Sequence, residues 1–406
     1  MNSKTDSIFR RRFLKTAPAV LLGFTGCIGF GSDETIEEIP SGDYGGRANV
    51  EAMRTIGQDG PDVRVDPADG YERLQSALNE LGSDPGVVTV GPGTIDDVDD
   101  NIVVPANTRL SGAGTDSTTL AIADGTDLDL AGLIRVEGDD VAVSDLTVDG
   151  NRANVSDNGE EYGLYSSGTE NLLVERVQIR DCPGYGFDPH RSGDSPGRNL
   201  MISDCVSVNN GLDGFTIAGI ESCTISDCRS HDNDRHGFNL TDDVGAGVTL
   251  DNCESHENGA CGMVVQNGYR DVAIDGGESS TNGESGVLVG TGGGEASQVR
   301  IDEVTIAENG SYGVQIRGSE QIWLSVLSRA NAREEGNAEI SIQETDQPST
   351  DISVVRSTLE VKEASFGIDE RDGNGPTTVV GTDVSGDPST PINLSHPDST
   401  SVSDPS

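Results

Sequence analysis

Along most of the chain, apolar residues come in short clusters broken by Gly, Asn and Asp, as at 87–90, 101–104 and 141–143. Runs this short, bounded by turn formers, predict short β-strands. One segment differs. Between residues 70 and 81, Leu74, Leu78 and Leu81 recur at helical spacing, and Gly82 follows as a stop signal. A single amphipathic helix ahead of many short strands suits a lid on the open end of a solenoid, where a bare strand edge would invite aggregation.

The clusters repeat. IRDCPGYGFDPH, ISDCVSVNNGLDGFTIAG, ISDCRSHDNDRHGFNLT and LDNCESHENGACGMVVQ align with Cys182, Cys205, Cys228 and Cys253 in register, at separations of 23, 23 and 25 residues. Weaker copies continue through Asn282-Gly283, Gly286-Val287, Asn309-Gly310 and Gly313-Val314. A period of about 24 residues built from several short strands predicts an all-β fold, a single-stranded right-handed parallel β-helix of the pectate-lyase type with an N-terminal capping helix. Coils of such a helix stack about 4.8 Å apart, so spacing in sequence becomes adjacency in space. The recurrent Asn before Gly (Asn210, Asn258, Asn282, Asn309) is read as a positive-φ turn whose amides bond from coil to coil. The in-register cysteines are read as a ladder of small buried thiols, because a disulfide needs Cβ atoms about 3.8 Å apart, closer than the coil spacing. Cys223 and Cys261 lie off that ladder and leave one bridge open; no spacing suggests zinc.

Charge narrows the partners. The 406 residues carry 26 Lys plus Arg against 70 Asp plus Glu, a formal net charge of −44. Such a surface repels phosphate backbones and anionic lipids, which excludes nucleic-acid or membrane binding through basic patches. Residues 1–26 hold five basic residues and one acid, net +4, so the remainder carries −48 with Lys362 as its only lysine. That composition is expected where strong salt screens self-repulsion, as in an extreme halophile.

The N-terminus reads as an address. Arg10-Arg11-Arg12-Phe13-Leu14-Lys15 precedes a short apolar run, the pattern of a twin-arginine export signal. Phe24-Thr25-Gly26-Cys27 is similar to a lipoprotein box and makes Cys27 a candidate lipidation site; a cleaved signal with an incidental Cys is the alternative. The expected product is exported, secreted or lipid-anchored on the outer face of the cell membrane, and monomeric. The domain reading is an export signal at 1–26, a flexible acidic tether at 28–60, the β-helix at 61–385 and a polar tail at 386–406.

Candidate chemistry gathers in four coils. With the pairs Gly186-Phe187, Gly214-Phe215, Gly237-Phe238 and Gly262-Met263 as origin, Tyr185, Asp213 and His236 fall in one column. Strand alternation turns Asp188, His190, Asn239 and Gln266 outward to the same groove, and Arg235 adds a cation. Acid–base groups and cations beside a long open groove suit proton abstraction at C5 of a uronate, where the neighbouring carboxylate must first be neutralised. Reprotonation from the opposite face gives the C5 epimer; expulsion of the C4 oxygen cleaves the polymer. A non-catalytic glycan-binding β-helix is the remaining alternative.

YGFDPH at 185–190, NGLDGF at 210–215, NDRHGFN at 233–239 and GMVVQNG at 262–268, with DGNR at 149–152 and GIDERDGNG at 367–375, closely resemble the catalytic module of secreted mannuronan (alginate) C5-epimerases. The resemblance implies that Tyr185, Asp188, His190 and Asp213 form the catalytic group, with His190 and Tyr185 as the acid–base pair. It also implies that Arg152, Arg235 and His236 bind or neutralise a polyuronate carboxylate and that the enzyme depends on Ca2+, at ligands the sequence leaves unknown. The chain departs from the family in a longer stretch after His190 (RSGDSPGR) and in Asn267 after VVQ, where Arg270 is the candidate substitute.

Overall fold

The computed structural model describes residues 50–126, 132–155, 162–291, 295–331 and 337–402. The export signal, Cys27 and residues 28–49 of the tether lie outside them.

The helix Gly70–Leu81 forms where the leucine spacing predicts it and buries Tyr71, Leu74, Ala77, Leu78 and Leu81. It also closes an edge. The Gln75 amide accepts from Val103 N at 2.9 Å and donates to Val103 O at 3.3 Å, taking the place of a missing neighbour beside the strand Ile102–Pro105. Among the described residues that strand begins a 12-stranded sheet that runs to Thr390–Asn393, a second sheet has 22 strands, and neighbouring coils pair in parallel, as in Phe215–Ala218 on Phe238–Thr241. The molecule is a right-handed parallel β-helix.

Its interior is filled as the low aromatic content requires, by Val, Ile and Leu, with one stack of rings. Phe187, Phe215 and Phe238 lie 4.5 and 4.7 Å apart between centroids, stacked with nearly parallel planes. The glycine before each ring is set by close approach: a Cβ on Gly214 would stand 2.0 Å from Ser230 Oγ and 2.9 Å from Gly237 O. Asn210, Asn233, Asn258, Asn282, Asn309 and Asn331 are buried and bonded from coil to coil, each Nδ2 to the next Oδ1 at 2.8–2.9 Å. Glu339 ends the ladder by accepting from Asn331 Nδ2 at 2.7 Å. The positive φ falls on the residue before each Asn, such as Asn209, Asp232, Glu257, Thr281 and Glu308, and not on the Asn itself. The left-handed residue makes the turn, which frees the Asn to point inward.

All six cysteines of the described part are free and buried. Two boundaries move. Residues 50–54 form a helix whose Met53, with Ile56, is buried against Ala142, Leu173 and Met201, so residues 50–56 are packed against the coils and are not part of a flexible segment reaching to 60. In the region read as a tail, Thr390–Asn393 and Thr400–Val402 pair with Phe366–Glu370 and Thr377–Val380. Coil stacking is made by backbone hydrogen bonds and tolerates polar side chains, which hides such strands from an apolar pattern.

Candidate active site

Phe187, Phe215, Phe238 and Met263 are in register in four adjacent strands. Because these side chains point inward, alternation turns Asp188 and His190 outward, with Thr216, Asn239 and Thr241 beside them. Tyr185, Asp213 and His236 stack as the column requires, Gly186 N donating to Asp213 O at 3.0 Å and Gly214 N to His236 O at 2.9 Å. Together Tyr162, Tyr185, Asp188, His190, Arg235, His236, Asn239 and Gln266 line an open groove of about 310 Å³.

Asp213 lies beneath the groove and is fully buried. Its carboxylate accepts from Arg235 Nε and Nη2, both at 2.6 Å, from Asn239 Nδ2 at 2.8 Å, His236 N at 3.0 Å and Thr216 Oγ1 at 3.1 Å. Burial alone would raise its pKa, but these bonds and the Arg235 charge outweigh it and hold the carboxyl below the usual range. Asp213 in turn pushes the Arg235 pKa up. Asp213 is therefore the anchor of Arg235, which lies 5.2 Å over the Tyr185 ring. Gln266 Nε2 donates to Asn239 Oδ1 at 2.8 Å and extends the same network.

His236 lines the same groove. Its Nδ1 accepts from Cys261 N at 3.2 Å, which places the proton of the neutral ring on Nε2. Burial lowers its pKa by more than Asp213 raises it, so the ring stays neutral and offers a donor. Asp188 and His190 form the other half of the site, with Asp188 Oδ1 2.7 Å from His190 Nε2. Asp188 is almost wholly buried, and neither oxygen has another hydrogen-bonding partner. Burial pushes the Asp188 pKa up despite His190. For His190, burial acts downward, but the hydrogen bond and charge of Asp188 prevail and its pKa rises.

Two expected substrate contacts lie elsewhere. Arg152 Nη2 is held by Asp234 Oδ2 at 2.5 Å and does not line the groove. Arg270 opens the strand Arg270–Asp275 in the other sheet, after the positive-φ turn Asn267-Gly268 has carried the chain round the corner; its Nη1 reaches Asp243 O at 3.5 Å. Tyr162 and Tyr165 were not predicted. Tyr162 stacks on Tyr185 at 5.3 Å and on Tyr165 at 5.4 Å, and Tyr165 tilts against His190 at 5.6 Å. Their signal is in the sequence: Tyr162-Gly163-Leu164 repeats the pattern of Tyr185-Gly186-Phe187 one coil earlier. For the implied calcium, the described residues gather no group of three or more His, Cys, Asp or Glu side chains able to hold a metal.

The arrangement offers a fixed guanidinium and a neutral imidazole donor for a carboxylate, a carboxylate-backed imidazole as base, and a phenol. Tyr185 precedes the strand Phe187–His190 and His190 ends it, and both line the groove.

A family model described as a right-handed beta helix region matches residues 132–296. Mannuronan C5-epimerase AlgE2 of Azotobacter vinelandii is 37% identical over 209 residues, 46% of this chain and 20% of that protein. Alginate lyase 7 of Azotobacter vinelandii is 34% identical over 196 residues, 44% of this chain and 22% of its own length. The matched part thus spans about a fifth of these curated relatives. In structure, the A-module of Azotobacter vinelandii mannuronan C-5 epimerase AlgE4 superposes with a TM-score of 0.75 at 27% identity, covering 83% of this chain and 99% of the module.

Proposed function

We propose that this chain, a homologue of the mannuronan C5-epimerases, epimerises a polyuronate at C5, turning mannuronate residues into guluronate or acting on an analogous polymer. The observation that supports this reading is that Tyr185, Asp188, His190, Arg235 and His236 line one groove, with Arg235 5.2 Å over the Tyr185 ring. Arg235, held by Asp213, neutralises the uronate carboxylate and the His236 Nε2–H hydrogen-bonds to it, which makes the C5 proton removable. Neutral His190, backed by Asp188, takes that proton. Tyr185 delivers one to the other face; His190 then loses its proton to solvent and Tyr185 regains one from it. The export signal read at 1–26 supports a substrate outside the cell.

Alginate lyase 7 among the relatives favours a second reading, in which the same carbanion expels the C4 oxygen. Proton NMR of polymannuronate after incubation separates the two. Guluronate signals without new unsaturated chain ends support epimerisation; unsaturated ends absorbing in the ultraviolet make it a lyase. Absence of C5 tritium release would remove both.

A further inference from the structure

The strand face that carries His190 continues along the molecule. His190, Ala218, Thr241, Gln266, Gly290 and Arg317 occupy equivalent positions in successive coils, by the registers His190 on Ala218, Ala218 on Thr241, Leu240 on Val265, Val265 on Val289 and Val289 on Ile316. Five rungs at about 4.8 Å place Arg317 roughly 24 Å from His190 along the axis. Gly290, the rung before it, contributes no side chain to the floor.

Arg317 is unusual among the arginines of this face. Arg235 is tied to Asp213 at 2.6 Å, Arg191 to Asp242 at 2.6 Å and Arg371 to Asp369 at 3.3 Å. Arg317 makes no ion pair among the described residues, and its Nε is buried without a hydrogen-bond partner. The polar side chains around it are engaged with one another: Gln315 Nε2 donates to Gln343 Oε1 at 3.3 Å, and Gln343 Nε2 to Ser341 Oγ at 2.9 Å. Acids outnumber bases 70 to 26, yet no carboxylate among the described residues pairs with Arg317, and the residue is only part-buried, so its guanidinium is open to a carboxylate that arrives from outside.

We propose that Arg317 is a distal carboxylate-binding residue, engaging a uronate about five residues along the polymer from the one at His190 and so setting the chain length the groove grips. This rests on the polyuronate reading of the groove. One extended uronate spans about one coil rise, so a polymer laid along the axis presents a carboxylate near each rung. Contact so far from the reacting carbon adds binding that is equal in ground and transition states, which lowers KM and leaves kcat alone.

The test measures epimerisation kinetics, and calorimetric binding in parallel, on trimannuronate, octamannuronate and polymannuronate for the full chain, Arg317→Gln and Arg317→Lys. Expected is an about ten-fold rise in KM and Kd on the two long substrates for the Gln variant, unchanged kcat, no change on the trimer and partial rescue by Lys. Equal losses on trimer and octamer, or none on either, overturn the proposal. Binding is read without turnover, so a chain that grips the octamer through Arg317 but does not epimerise it removes the epimerase reading and keeps this one. A wild-type chain that binds no polyuronate at all removes both.

Discussion

His190 works as a base only when neutral, and Asp188 makes that harder while holding the ring in place. Asp188 raises the His190 pKa against the opposing effect of burial. Activity should therefore rise with pH through the raised His190 value. In Asp188→Asn the raising partner is gone and burial remains, so the acid limb of the kcat profile should move to lower pH, with a lower plateau from looser ring orientation. A limb that stays put would detach Asp188 from His190. His190→Ala should lower kcat by about 10²–10⁴-fold, the usual worth of a positioned general base. Asp213 gives the opposite linkage. Its folded pKa is depressed, so its contribution to stability is complete above the unfolded value of about 3.9 and is lost as pH falls through the folded value. Asp213→Asn should cost about 2 kcal/mol at neutral pH, less than a fully buried pair because the Arg235 side chain is 37% exposed. The gap between the two unfolding midpoints should close below about pH 4, and the variant's KM should rise as Arg235 loses its anchor.

At the scale of the coil, the asparagine ladder carries a similar demand. Asn258 Oδ1 accepts from both Asn233 N at 3.2 Å and Asn233 Nδ2 at 2.9 Å, while its own Nδ2 bonds Asn282 Oδ1 at 2.9 Å. Asn258→Ala strands the buried Asn233 N–H, at about 1–3 kcal/mol before relaxation, and takes one partner each from Asn233 Nδ2 and Asn282 Oδ1, which keep Ser230 Oγ and the residue-258 N–H. Chemical unfolding should show a loss of about 3 kcal/mol, with hydrogen-exchange protection falling first in the coils on either side. A loss confined to a few tenths would mean that the ladder is ornamental. This ladder also marks what the sequence could reveal. The period, the Gly-Phe origin and the column of Tyr185, Asp213 and His236 are legible because backbone stacking converts spacing directly into contact. Side-chain direction off the column is less so: Arg270 follows a turn into the other sheet, Arg152 answers to Asp234, and Asp213 sinks under the groove because five donors converge on it. The strands past residue 386 escape notice since their pairing needs no apolar side chain.

For the whole molecule the governing quantity is a net charge of −44 meeting a substrate that is itself a polyanion. The attractive groups, Arg235 and Arg317, are few and local, and the repulsion is spread over the surface. Its range is the Debye length, about 30 Å at 0.01 M salt and about 3 Å at 1 M. At low salt a polyuronate meets that repulsion well before it reaches the groove, whereas at molar salt repulsion survives only near contact. Adding salt should therefore raise kcat/KM for polymannuronate, chiefly through association, while the trimer, with fewer charges, responds less. Proteins that bind polyanions through basic patches show the reverse slope. The unfolding midpoint should climb over the same range as self-repulsion is screened, and this part is checked without substrate. Monitoring both across a sodium chloride series decides the matter: a kcat/KM for polymer that falls steadily with salt, at constant fold, would mean that the groove arginines outweigh the rest of the surface in steering the chain.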